Sequence, residues 1–312
     1  MTQTLAPIAF FCYNRPDHTR RTLEALKANE LASESKLFIF SDGPKDSDSA
    51  REGVAKVREY IRTVDGFASV EIIERERNYG SARNISRGIT QIAEEFGRVI
   101  VVEDDILTSP YFLRYMNDAL ELYKDDEKAG AVSAYLNPMY ANKGFPQSFF
   151  SRSLDSWGWG TWWRSWKDFE SDARILLKKI KEAGLEEKYN YGLKHKTRTV
   201  GLKRAAKYFI WDCQWGAALL LHDRYVLKPG KAFSNNIGLD GSGLHCTPRD
   251  YLRCNAELAE TYTPLEKIPV ELNKQAEEIY FQSIEKEDHS VVYRALRRLW
   301  RMLTGKYRKY VD

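Results

Sequence analysis

Residues 98–107 read RVIVVEDDIL and set three consecutive carboxylates, Glu103, Asp104 and Asp105, directly behind a β-branched apolar run. Such a run predicts a buried strand. The acids then fall where a parallel strand ends, which is where open α/β sheets bind ligands. Holding two carboxylates within about 4 Å of each other costs on the order of 4 kcal/mol at an effective dielectric near 20. Protonation, pairing with Arg or Lys, or a divalent cation would each relieve that repulsion. Mg2+ and Mn2+ prefer oxygen and are commonly held by one or two carboxylates, with phosphate oxygens and water completing the shell. The triplet therefore suits a metal-bound diphosphate. Taken alone it suits equally a solvated turn, or a cap supplied by Asp105 to a helix beginning near Pro110.

The chain around the triplet has 312 residues, 43% hydrophobic and 29% charged, enough for one large domain or two modest ones. No apolar stretch approaches the roughly 20 residues of a membrane span, and the amino terminus lacks the basic, apolar and cleavage regions of a secretory signal. The expected location is the cytoplasm. Cys12, Cys213, Cys246 and Cys254 form no CxxC pair, so neither a disulfide framework nor a zinc site is indicated. A net charge of +4 is too mild to imply nucleic acid, and no nucleic-acid partner is expected. The basic excess collects in VVYRALRRLWRMLTGKYRKY, residues 291–310, where apolar and arginine positions alternate as on an amphipathic helix. That periodicity describes both a helix lying on anionic lipid and one packed on its own domain.

Strand-like and helix-like segments alternate through the first half. Strands are expected at 7–13, 36–41, 69–75 and 98–103, and helices from about Asp17, Asp48 and Ser81. This order argues for an α/β fold with a mostly parallel central sheet flanked by helices. Each strand leads into a polar cluster, NRPDHT, SDGPKD, RNYGSARN or EDDILTSP, and the crossovers gather these loops at one sheet edge. Asn14-Arg15-Pro16 follows the first strand where a Rossmann fold needs a glycine-rich turn, and no Walker lysine motif is present, so nicotinamide and ATP are not supported. No repeat or low-complexity linker appears, which favours one catalytic domain over 1–246 and an extension over 247–312 carrying the basic helix.

PIAFFCYNRPDHTRRTLEALKA, KLFIFSDGPKD, RNYGSARNISRGI, RVIVVEDDILTSPYFLRYM, SWGWGTWWRSW and FIWDCQWG occur in an order that resembles the nucleotide-sugar glycosyltransferases of the GT-A fold. The resemblance covers roughly residues 6–246. It looks closest to the branch containing the Golgi N-acetylglucosaminyltransferase that starts complex N-glycans, and to bacterial family 2-like transferases. It implies a nucleotide-sugar half over about 1–106 and an acceptor half over about 107–246. By this resemblance Asp105 is the metal ligand, for Mn2+ or Mg2+, while Glu103 and Asp104 orient the sugar and ribose. Asp42 matches a residue that accepts a hydrogen bond from a pyrimidine base, or it is an Asp-Gly turn. Asn14 and Arg15 match the first nucleotide loop, where Arg15 would contact the diphosphate or pair with an acid. Asn78, Arg83 and Asn84 match a segment lining the nucleotide site, with Gly80 permitting a tight turn and Ser81 a candidate helix cap.

Tryptophans 157, 159, 162, 163 and 166 read as a packed corner, while SWGWG resembles the GLGW loop of the Golgi enzyme, which implies a backbone passing under the donor sugar with Trp159 bordering it. Asp212 in IWDCQW aligns with the general base of the Golgi enzyme, and Cys213 stands where that enzyme has a second aspartate. An inverting transfer needs one carboxylate to take the acceptor hydroxyl's proton. FSNNIGLDGSGLHC, residues 233–246, has the glycine content of a closing loop, with His245 either a metal ligand or an ordinary loop histidine. The implied activity is a metal-dependent inverting transfer from a UDP-sugar, with N-acetylglucosamine the first candidate, to a carbohydrate or lipid-linked oligosaccharide acceptor in surface polysaccharide or glycan assembly. The basic helix would then give peripheral contact with the inner membrane face. The rival readings are a nucleotidyltransferase and a non-catalytic carbohydrate-binding protein of the same fold.

Overall fold

The computed structural model describes residues 4–141, 143–192, 197–240 and 254–289, with side chains of the final helix described to residue 283. His195, His245, Cys246, the expected boundary near 246 and the basic stretch 291–310 lie outside these residues. Strands β1 (Ile8–Cys12), β2 (Lys36–Ser41), β3 (Ser69–Glu74) and β4 (Arg98–Glu103) occupy the predicted segments, and helices α1 (Pro16–Lys27), α2 (Asp48–Ile61) and α3 (Ser81–Phe96) alternate with them. β1, β2 and β4 are buried along nearly their whole length, as parallel strands covered on both faces must be. β3 ends the sheet and stays half exposed.

Local chemistry sets the helix limits. Pro16 opens α1, where its missing N–H costs nothing. Ser47 caps α2 by accepting the Ala50 N–H at 3.2 Å. Gly97 ends α3 in the left-handed conformation. Ser81 is not a cap: it is the first residue of α3, and Gly80, at φ 75°, precedes it without any side-chain bond to the helix.

The second half supplies β5 (Ile106–Thr108), α4 (Phe112–Leu122), β6 (Ala129–Ser133), β7 (Ser148–Ser151), β8 (Trp159–Trp162), α5 (Trp163–Trp166), α6 (Ala173–Glu182) and α7 (Glu186–Tyr189). These are followed by α8 (Thr197–Tyr208), α9 (Trp211–Leu221), β9 (Tyr225–Pro229), β10 (Ser234–Asn236) and α10 (Lys274–His289). Eight strands form the main sheet in the order β3-β2-β1-β4-β8-β6-β9-β7. β3, β2, β1, β4, β6 and β9 point one way, and β8 and β7 the other. The expected mostly parallel sheet flanked by helices is thus observed. The pleat divides β1 between two cores: Ile8 and Phe10 pack with Leu23 and Leu26 of α1, while Ala9 and Phe11 pack with Ile85 and Ile89 of α3.

The described residues from 254 onward pack on the main body. Ser109 Oγ donates to the Ala259 carbonyl at 2.6 Å, Tyr262 Oη donates to Asp118 at 2.6 Å, and Arg152 pairs with Glu277 of α10 at 2.6 Å. Among the described residues no helix is long and apolar enough to cross a membrane.

Candidate active site

Register fixes the site's location. Cys12 lies opposite Ser41, Ser41 opposite Glu74, and Phe11 opposite Glu103, so β1 to β4 end level with one another. The segments that follow, carrying Asn14 and Arg15, Asp42, Asn78 and the acidic triplet, therefore share the sheet's carboxyl edge.

Within the triplet, Arg15 is the resident counter-ion. Its Nη2 donates to Asp104 and, at 2.8 Å, to Asp105. Thr22 of α1 donates its hydroxyl to the Asp104 carbonyl at 2.9 Å. Asp105 caps no helix: β5 begins at the next residue, and Ser109 meets the Tyr111 N–H ahead of α4. Burial pushes the Glu103 carboxyl well above its ordinary range, and Asp105, Asp104 and Asp212 push the same way against Arg15. The Asp104 carboxyl is pushed up to about 6 by burial, with Arg15 opposing and Asp105 adding to the shift. One guanidinium thus compensates only part of the crowding.

That shift has a definite sign. An acid whose folded value lies above its unfolded value of about 3.9 contributes stability that is fully present below the unfolded value. The contribution is lost as pH rises through about 6. The urea midpoint of the parent protein, taken relative to Asp104→Asn without divalent metal, is expected to fall between pH 4 and pH 7. A difference independent of pH would refute the assignment.

Asp42 is buried, and both its oxygens are engaged. Oδ1 accepts the N–H groups of Gly43 at 2.9 Å and Tyr79 at 2.8 Å, while Oδ2 accepts from the Asn78 side chain at 3.1 Å and the Gly80 N–H at 2.9 Å. Here it fastens the loop after β3 to the loop after β2, and acceptance from a base would have to share or replace one of these bonds. Asn78 also donates to the Gly43 carbonyl at 2.8 Å. Asn84 cements the fold, donating to the Phe40 carbonyl at 3.4 Å and accepting from Arg75 at 3.1 Å. Arg83 stands exposed on the first turn of α3, and Asn14 is half-buried beside Arg15. Arg75, Arg77 and Arg87 place their guanidinium carbons 5.2, 5.8 and 5.1 Å from the centroid of the Tyr79 ring. None of the three pairs with a carboxylate among the described residues. Arg75 and Arg77 of RERNYG and Arg87 of α3 are visible in the sequence; their convergence on one ring is not.

Asp212 reaches the same edge from another part of the chain. It lies in the first turn of α9, an acid-favouring position, and its Oδ1 accepts the Cys213 N–H at 2.8 Å. Its charge acts on Glu103. Burial, then Asp212, pushes the Cys213 thiol up to about 12, which keeps it protonated and unfit as a nucleophile. Trp211 stacks on Trp159 at 5.4 Å and 17°, and Trp159 begins β8 beside Val101 of β4, so the start of α9 is pinned beside the end of β4.

The same stack corrects the expectation for Trp159. Its side chain is 0% exposed among Trp166, Trp211 and Trp215, so it has no face left for a sugar. Trp157, two residues earlier and half-buried, is the more accessible ring of SWGWG, packed edge-on against Tyr135. Lys228 of β9, fully buried, pairs with Asp155 and anchors the approach to that loop.

Of the closing loop expected over 233–246, residues 233–240 are described, and they are tied to the acidic rim. β10 pairs antiparallel with β5, and the Ile237 N–H donates to the Asp105 carbonyl at 2.8 Å. Gly238 follows, and a Cβ there would lie 2.3 Å from Asp105 Oδ2 and 3.0 Å from Arg15 Nη1. Sequence reasoning missed Gly238 as a wall of the site.

Among the described residues no three His, Cys, Asp or Glu side chains are arranged to enclose a metal ion. The donor set nevertheless fits Mg2+ or Mn2+ bound through substrate, which requires only one or two carboxylates beside phosphate oxygens and water. Asp105 meets that need at a rim where burial, with the crowding of neighbouring carboxylates, pushes Glu103 and Asp104 toward protonation.

The GNT-I family model matches residues 1–143, the part of the chain that carries β1 to β4, the triplet and Asp42. With the observed sheet, it bears out over that part the resemblance to GT-A glycosyltransferases. No curated protein matches the chain significantly. Among solved structures, the mannosyltransferase PcManGT of Pyrobaculum calidifontis, in complex with GDP-Man and Mn2+, is 13% identical, with 58% of this chain and 50% of that one covered and a TM-score of 0.36. Residues 1–349 of S. aureus TarS are 13% identical, with 73% and 59% covered and a TM-score of 0.39. The galactosyltransferase LgtC, with donor and acceptor sugar analogues, is 12% identical, with 56% and 65% covered and a TM-score of 0.33. The chain thus spans about half the length of PcManGT, and likenesses this distant carry no argument about activity.

Proposed function

We propose that this chain is an inverting glycosyltransferase that moves a sugar, N-acetylglucosamine in the first instance, from a UDP-linked donor to a hydroxyl of a carbohydrate acceptor. The observation that carries this reading is the meeting of two acid groups from separate parts of the chain: the buried triplet at the end of β4 and Asp212 at the start of α9. One group suits a metal-bound diphosphate and the other a proton.

Asp105 would hold the divalent cation, and Glu103 and Asp104 would accept hydrogen bonds from donor hydroxyls. A cation bound there neutralises charge on the departing diphosphate. Arg15, already within hydrogen-bond reach of Asp104 and Asp105, would turn part of its fork to the diphosphate. Arg75, Arg77 and Arg87 add positive field at the same edge. Asp212 would take the proton from the attacking hydroxyl. A lipid-linked oligosaccharide in surface polysaccharide assembly would suit the basic stretch 291–310, which would then rest on the inner face of the membrane.

Thermal denaturation with UDP, GDP and ADP, each with and without Mn2+, tests the donor. A ligand present at 100 times its dissociation constant stabilises the native state by about 2.7 kcal/mol. UDP with Mn2+ is expected to raise the melting temperature most, and UDP alone little. If no nucleoside diphosphate moves the transition under either condition, the reading fails.

A further inference from the structure

Charge is unevenly shared among the helices. α6, ARILLKKIKE, carries four basic residues and one acid, and α8, TRTVGLKRAAKY, carries four and none. The short α7 between them, EEKY, adds two acids and Lys188, which pairs with Asp223. These three helices therefore hold more net positive charge than the chain's whole +4. Little of it is answered nearby. Arg174 pairs with Asp172, and Lys178 lies 3.7 Å from Glu182. Lys179, Lys181, Lys203 and Lys207 are exposed and pair with no carboxylate among the described residues.

The same helices carry the exposed large apolar side chains of the described residues: Ile175 of α6, 41% exposed, and Val200 and Tyr208 of α8, 60% and 41% exposed. α6 and α8 lie side by side. Leu176 and Ile180 on one, and Leu202 and Ala205 on the other, fill the core, which leaves Ile175 and Val200 on the outer face. On α8, Val200, Lys203 and Lys207 recur at the spacing of one helix face. A solvated face has a use for the lysines and none for the apolar groups. An anionic bilayer uses both, because lysine heads meet lipid phosphates while apolar side chains enter the boundary between headgroups and acyl chains. A nucleic acid would use the charge, but its phosphate backbone offers nothing to Ile175 or Val200.

We infer that the outer face of α6 and α8 docks on an anionic lipid bilayer. Phe209, at φ 48°, turns α8 directly into α9, whose first turn bears Asp212. The docked face thus runs straight into the helix that carries Asp212, and that a lipid-linked acceptor is presented there rests on the transfer reading above. This footing is separate in sequence from residues 291–310.

The test is sedimentation of the full chain with vesicles of mixed phosphatidylcholine and phosphatidylglycerol, and with pure phosphatidylcholine as the uncharged control. Binding to poly(U) and to poly(glutamate) is measured alongside, as polyanions with no apolar phase. The parent is expected to partition onto the anionic vesicles and little onto pure phosphatidylcholine. Lys203→Gln combined with Lys207→Gln is expected to lower that partition about 10- to 30-fold, since each lysine at an anionic surface is worth about fivefold. Val200→Ser is expected to lower it severalfold and to leave binding to either polyanion unchanged. All three side chains are exposed, so melting temperatures should match the parent's, as should the response to UDP with Mn2+. Both variants keep residues 291–310, so their losses are additional to whatever that stretch contributes. The inference is overturned if either variant partitions like the parent; an unchanged Val200→Ser beside a weakened lysine pair would mark the face as one for an acidic protein or a nucleic acid. Vesicle binding through this face without any nucleotide response would sink the transfer reading and leave the docking surface standing.

Discussion

Asp212→Asn is expected to slow sugar transfer by about 10²- to 10⁴-fold, the usual worth of a positioned general base. The change is nearly isosteric, and the carbonyl oxygen of asparagine can still accept the Cys213 N–H that Asp212 Oδ1 accepts at 2.8 Å. It also removes one of the charges that push the Glu103 carboxyl up, so the fold should not suffer. Donor binding, followed by the UDP and Mn2+ thermal response, should therefore match the parent while single-turnover transfer collapses. Equal transfer rates in the two proteins would show that Asp212 takes no proton.

Asp105→Asn is expected to remove the Mn2+-dependent part of the nucleotide response and to cost about 10³-fold or more in transfer, since metal stabilisation of developing charge is worth several kcal/mol. Gly238→Ala approaches the same carboxylate from outside. Its new methyl would sit 2.3 Å from Asp105 Oδ2, so that carboxylate must turn away and loosen its 2.8 Å bond to Arg15. Both variants should lose metal-dependent nucleotide binding, whereas only Asp105→Asn changes the charge of the rim. A Gly238→Ala protein with the parent's full Mn2+ response would mean that the Asp105 carboxylate is not the group that meets the cation.

The strands and helices of the first half were legible because each strand is a contiguous apolar run followed by turn chemistry, signals that need no distant partner. The triplet and Asp212 were legible as acids at element ends. What escaped depended on contacts between remote segments. The burial of Trp159 follows from Trp211 and Trp215, some fifty residues further along, and nothing local to SWGWG announces them. Asp42 reads as the first half of an Asp-Gly turn until the N–H groups of Tyr79 and Gly80 arrive from the next crossover. The glycines of 233–246 suggested a closing loop, but Asn235 and Asn236 at its start pair with β5 through main-chain bonds to which side-chain identity is nearly irrelevant. Arg15 was left open between diphosphate and acid; it pairs with Asp104 and Asp105.

The two stacked indoles of Trp159 and Trp211 act as a spacer between the sheet and the helix that bears Asp212. The gap from Asp212 to the acidic rim is then gauged by the thickness of two aromatic rings. A thinner residue at either position would let the helix settle inward and misplace a carboxylate it never touches. The geometry of the rim is therefore tied to oily contacts beneath it, and the two tryptophans should change together or not at all.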